Sequence, residues 1–168
     1  KVDNSVNELL DGPTLDASAL AGKIQRLHIF FSLLIPDMSH EEKQLLDEAL
    51  IKTYALKGIT HKNESLTDPQ HPEQYKKMPI LEDVYNVLLE SEDTKRLAHI
   101  LNRLVHGSAS SFNQQTNVDL TNKYTVLDIS ELTGSSDLLT VGMFVALDYV
   151  WDKAKENRTE EKAIFVDE

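Results

Sequence analysis

Two adjacent carboxylates, Asp167 and Glu168, follow a short apolar run in KAIFVDE (162–168). An apolar strand that delivers Asp and then Glu at its carboxyl end would place both groups at the rim of an open α/β sheet, where such sheets bind ligands. There the chemistry would be phosphoryl transfer. Asp167 would bond the water shell of Mg²⁺, and Glu168 would orient or deprotonate the water that attacks a γ-phosphate. The pair by itself carries little weight, because Glu41-Glu42, Asp47-Glu48, Glu82-Asp83, Glu92-Asp93 and Glu160-Glu161 are adjacent acids too. Its position after an apolar run sets it apart. A capped or solvated strand end is the competing reading.

The other chemistry-bearing residues point elsewhere. Phosphates need a cradle, and no G-x-x-x-x-G-K-[ST] stands anywhere in the chain. Gly22-Lys23 lacks the earlier glycine and reads as an ordinary helix position. None of the six histidines forms a helical i, i+4 pair with a third ligand nearby. His28 reads as a partly buried, satisfied side chain. Arg96, His99 and Arg103 share a helix face and read as a solvated stripe. Ser108, Ser110 and Ser111 lack the G-x-S-x-G elbow of a serine hydrolase. Thr116 and Asn117 lie in a loop whose side chains can satisfy its own backbone. Asp128 falls near the end of the YTVLDI run, where local pairing is the favoured reading.

Composition bounds the rest. The 168 residues suffice for one ordinary domain with a real core. There is no cysteine, which excludes disulfides and thiolate metal sites. Seventeen Lys and Arg against 28 Asp and Glu give a net charge of -11, which argues against direct binding to a phosphate backbone. No stretch approaches the roughly 18 consecutive apolar residues of a membrane span, so a soluble segment is expected.

The elements that would position these groups can be read from periodicity and caps. Residues 1–15 read as an extended lead-in around the Asp11-Gly12-Pro13 turn. A first helix is predicted from Ala17 to Ile35, capped by Asp16 and ended by Pro36. Ser39-His40-Glu41-Glu42 is a capping box opening a second helix, with Leu45, Leu46, Ala49, Leu50 and Tyr54 on one face and Gly58 as its left-handed cap. Ile59 to Lys77 is a long surface connection. Pro79 starts a third helix ending near Ser91, and a fourth runs from Thr94 to His106 and stops at Gly107.

After Gly107 the pattern changes. Tyr124–Ile129 is rich in strand formers. Ser135, Ser136 and Asp137 cap a helix from Leu138 to Lys155 that is apolar on nearly every side, and such a helix is expected to be buried on two sides. KAIFVDE then reads as a second strand. Strand, helix and strand make a βαβ unit with parallel strands. The expectation is a mainly helical α/β chain: a lead-in (1–15), a helical insertion subdomain (16–107) and a partial P-loop ATPase core (108–168).

The run SSFNQQTNVDLTNKYTVLDISEL from Ser110, the apolar helix ending at Trp151 and KAIFVDE together resemble the C-terminal ATPase domain of VirB-type conjugative-transfer ATPases, the type IV secretion motors related to hexameric RecA/FtsK-HerA-like DNA translocases. SHEEKQLLDEAL and MPILEDVYNVL resemble that family's helical insertion. The resemblance implies that Asp167 and Glu168 are Walker B carboxylates, and that ATP and Mg²⁺ are ligands of an intact parent. It also implies a hexamer working with other secretion or conjugation subunits at the cytoplasmic face of a membrane complex. The Walker A half would lie before Lys1, so the fragment itself is expected to bind nucleotide poorly and hydrolyse none, with its last strand presenting an unpaired edge. An acidic helical protein-interaction module without catalysis, and a piece of a related translocase or coupling protein, are the alternatives.

Overall fold

In the computed structural model, residues 18–115, 124–156, 159 and 161–166 are described. Five α-helices account for most of them: α1 (Ala19–Leu34), α2 (His40–Leu56), α3 (Leu81–Leu88), α4 (Lys95–Val105) and α5 (Ser136–Glu156). The chain packs as two compact units, one within Lys1–His28 and Met38–Gln115, the other within Ile29–Asp37 and Thr116–Glu168.

In the first unit the helices form where apolar spacing and caps coincide. On α4, Leu97, Ala98, Leu101, Leu104 and Val105 recur at i, i+1, i+4, i+7 and i+8, and all five are buried. Leu46, Ala49, Leu50 and Tyr54 of α2 and Val84, Val87 and Leu88 of α3 complete the core. The opening of α2 follows the capping box: Glu42 N–H donates to Ser39 Oγ at 3.1 Å, and Ser39 N–H donates to the Glu42 carboxylate at 2.9 Å. The helix closes in a Schellman turn, with Ile59 N–H on the Tyr54 carbonyl (3.0 Å) and Gly58 N–H on that of Ala55 (2.8 Å). Gly58 takes φ +70°, a region that disfavours a side chain, and Ile59 beside it is fully buried.

Short bonds lock the links between helices. Thr94 Oγ1 donates to the Leu88 carbonyl at 2.5 Å, closing the turn from α3 to α4. At the end of α4, a Cβ on Gly107 would come within 2.8 Å of the Arg103 backbone, so the chain turns there only with glycine. The third helix starts later than expected. Pro79 lies before the helix, Ile80 is its cap, and Ile80 N–H donates to Asp83 Oδ2 at 2.9 Å. The Ile59 to Lys77 connection is a closed loop, tied by an isolated antiparallel bridge between Thr67 and Tyr75 and by Lys76 Nζ donating to the Gly58 carbonyl at 2.7 Å.

The second unit corrects the expected βαβ unit. Among the described residues there is no β-strand and no sheet, so the fold is almost entirely α-helical and not a mixed α/β P-loop core. The residues of the expected first strand, 124–129, have no ladder partner and face solvent, with Tyr124 94% and Val126 89% exposed. Those of the second that are described, 162–166, are likewise non-helical and unladdered, with Phe165 92% exposed. Strand-forming composition measures fit to a half-buried pleated surface, and with no neighbouring strand it has nothing to act on.

The helix between them does form, from Ser136 to Glu156, and Ser135 and Asp137 are hydrogen-bonded side chain to side chain at its start. Its expected burial on two sides does not occur. Leu138, Val141 and Gly142 are buried, whereas Val145, Leu147 and Trp151 are exposed.

Candidate interaction surface

The residues proposed for catalysis, Asp167 and Glu168, lie outside the described residues, as do Thr116 and Asn117 and the cap Asp16. What leads up to the carboxylates is described. Ile164, Phe165 and Val166 form no strand and are exposed. A sheet rim is what would aim two acids at one Mg²⁺ and one water, and no rim exists among the described residues. The expected P-loop ATPase core, with its Walker B strand and hydrolase chemistry, is therefore corrected to a helical arrangement without that architecture.

Asp128 pairs locally, as its sequence context suggests. Ser130 N–H donates to Asp128 Oδ1 at 2.9 Å, and this bond holds the carboxyl below the usual aspartate range. His28 is a satisfied, partly buried histidine, its Nε2 at 2.9 Å from Asp47 Oδ1. Among the described residues no group of three His, Asp or Glu is placed to hold a metal ion.

Several titratable groups of the first unit join helices. Arg96 Nη1 of α4 lies 2.7 Å from Glu42 Oε1 at the start of α2, so Glu42 serves both the cap and the ion pair. The backbone N–H of Ser39, then Arg96, hold the Glu42 carboxyl below its ordinary value. Lys57, just past α2, pairs with Asp83 in the first turn of α3 at 2.8 Å. Burial pushes the Asp83 carboxyl up, but the bonds from Lys57 and Ile80 outweigh it and leave it lowered. Lys52 of α2 reaches Glu90 at 2.5 Å. Burial alone pushes the Tyr54 hydroxyl up to about 12. Pairs as exposed as these contribute about 0–1 kcal/mol each. Their effect is to fix which faces of the helices meet.

What this leaves for function is apolar surface. On α5, Phe144, Leu147 and Trp151 recur at i, i+3 and i+7; Leu147 lies roughly opposite the mean direction of the buried Leu138, Val141 and Gly142, while Phe144 is only about 60° and Trp151 about 80° around the axis from Val141. Phe144 is half-buried, Leu147 is 40% exposed and Trp151 is 58% exposed. Lys155 Nζ stands 5.5 Å from the centre of the Trp151 ring, a cation–π distance, so part of this face already carries a lysine of its own helix. Lys162 Nζ donates to the carbonyls of Lys153 (3.3 Å) and Ala154 (3.0 Å), tying the following segment to the carboxyl end of α5. Sequence reasoning missed this face because it counted apolar residues around the helix without knowing how much of the circumference the fold covers. The 3–4 spacing of Phe144, Leu147 and Trp151 was the available signal.

No family model matches the chain, and no curated protein matches it. Among solved structures it is similar to VirB4 of Thermoanaerobacter pseudethanolicus, with a TM-score of 0.72 and 26% identity over 87% of this chain. The match spans 55% of that chain, so the present chain corresponds to a little over half of its length. The likeness supports a remote VirB4-like relationship carried by structure, without the sheet-bearing Walker B fold implied by the sequence resemblance.

Proposed function

We propose that this chain is an acidic, all-helical protein-interaction module of a VirB4-like protein. The observation that carries the reading is the exposed apolar face of α5, with Leu147 and Trp151 in solvent. Apolar side chains arrayed on one face of a helix are what partner proteins bury. The likeness to VirB4 supports partners drawn from a conjugation or secretion machinery, met at the cytoplasmic face of a membrane complex, with a hexamer as the assembly of a longer parent. No helix among the described residues is long and apolar enough to cross a membrane. ATP and Mg²⁺ are proposed only as ligands of such a parent, with neither bound by these helices.

The test is sedimentation velocity of the purified chain mixed in turn with purified subunits of a conjugative secretion complex. At least one subunit should form a saturable complex with it, and the chain alone should show no turnover of Mg-ATP. A chain that sediments unchanged with every subunit, or that hydrolyses ATP, contradicts the reading.

A further inference from the structure

Among the described residues, the first turn of α1 has weak local caps. The first amides of a helix have no intrahelical acceptor and need one from outside. No acidic residue stands in this turn, and Ser18 Oγ is reached by the Ala21 N–H only at 3.5 Å. The Ala19 N–H donates instead to Asn63 Oδ1 at 3.0 Å, an acceptor 44 residues away in the 59–77 connection. Asn is among the strongest capping residues, and here the role falls to one remote in the chain.

The connection is built to hold Asn63 in place. Ile59 is fully buried at its entry, and Asn63 opens the short helical turn Asn63–Leu66. Ser65 closes that turn. Its Oγ accepts from the Thr60 N–H at 2.8 Å and donates to the Lys62 carbonyl at 2.6 Å, and its N–H donates to the same carbonyl at 2.9 Å. The Lys76 N–H then donates to the Leu66 carbonyl at 2.8 Å, closing the rest of the loop on itself. The bonds of Ser65 all lie within the loop, so an effect of Ser65 on α1 has to pass through the placement of Asn63.

We propose that the Asn63 turn is a latch on α1: the first turn of α1 stays wound while residues 60–66 are closed and frays when they open. Helix ends open locally at low cost unless their amides are held, so a break inside the loop is passed to a helix whose sequence it does not share. The latch also gives the 59–77 connection a reason for its length, which compact domains rarely allow without one. It involves no partner of α5 and goes beyond the interaction-module reading.

Hydrogen exchange of the full chain, followed residue by residue by NMR, tests the latch at the Gly22 and Lys23 amides of α1. Asn63→Ala should speed their exchange about fivefold, as loss of a cap does. Ser65→Ala, inside the loop, should speed it several-fold as well. The double variant should be no faster than Asn63→Ala, because both changes act through one contact. Asn63→Asp keeps an acceptor oxygen and should protect these amides as wild type does. Ser39→Ala removes a cap of similar worth from α2 and should leave them unchanged. Unaltered exchange at Gly22 and Lys23 in Asn63→Ala or Ser65→Ala, additive effects in the double variant, an Asn63→Asp chain as fast as Asn63→Ala, or an equal acceleration in Ser39→Ala would each overturn the proposal. Binding of secretion subunits is a separate readout, so failure of the latch leaves the module reading untouched.

Discussion

Ser39 and Glu42 show how much two side chains determine at the start of a helix. Each satisfies a backbone N–H that α2 would otherwise leave open, and Glu42 additionally meets Arg96 across the bundle. Ser39→Ala should therefore lower stability by about 1 kcal/mol in urea unfolding, the usual cost of losing such a cap. The carboxyls of Glu42 and Asp83 are both lowered in the folded chain. A lowered carboxyl contributes stability that is present above its unfolded pKa and is lost as pH falls through the folded one. Unfolding free energy should thus decline as pH drops below about 4.5, the ordinary value for Glu42, and Glu42→Gln should flatten part of that decline. A pH series of urea midpoints for wild type and variant measures it. At this scale the sequence was informative. The capping box, the satisfied His28 and the local pairing of Asp128 all follow from groups within a few residues or from one well-placed neighbour.

Elements divide by whether their cause is local. The helices were legible because apolar periodicity, caps and terminating Pro36, Gly58 and Gly107 act within a turn or two. The expected strands at 124–129 and 162–168 were not, since a strand exists only as one member of a pair and a β-rich run cannot name its partner. The apolar character of α5 was visible as well, but whether a face is covered depends on residues distant in sequence. Two predictions belong here. Leu101→Ala, at a fully buried position on α4, should cost about 2–5 kcal/mol through lost burial and the cavity left behind. Gly58→Ala should cost about 1 kcal/mol, because a side chain at φ +70° is strained where it is open to glycine. Thermal and urea unfolding of the two variants should rank them in that order.

For the molecule as a whole, the helical architecture and the exposed α5 residues Leu147 and Trp151 are what support the proposed association with another protein. The similarity to VirB4 extends over 87% of this chain but only 55% of that one, which places the likeness in a part of a larger relative. The candidate site was only half legible in the sequence. Trp151 was noted as lying near the end of the apolar helix, while Asp167 and Glu168, on which the catalytic expectation was built, fall outside the described residues. A general charge effect should accompany any complex: raising salt from about 50 to 300 mM should weaken it, because screening lengths shrink below about 10 Å over that range.

Hydrogen exchange of the chain, alone and with a bound secretion subunit, tests the central claim most directly. Alone, amides of α2 to α4 should exchange slowly while those of 124–129 and 162–166 exchange fast, and the subunit should slow exchange across 144–155 without altering α2 to α4. Slow exchange at 124–129 and 162–166 in the free chain would reveal paired strands and contradict the all-helical account, and unchanged exchange along α5 in the complex would contradict its role as the contact face.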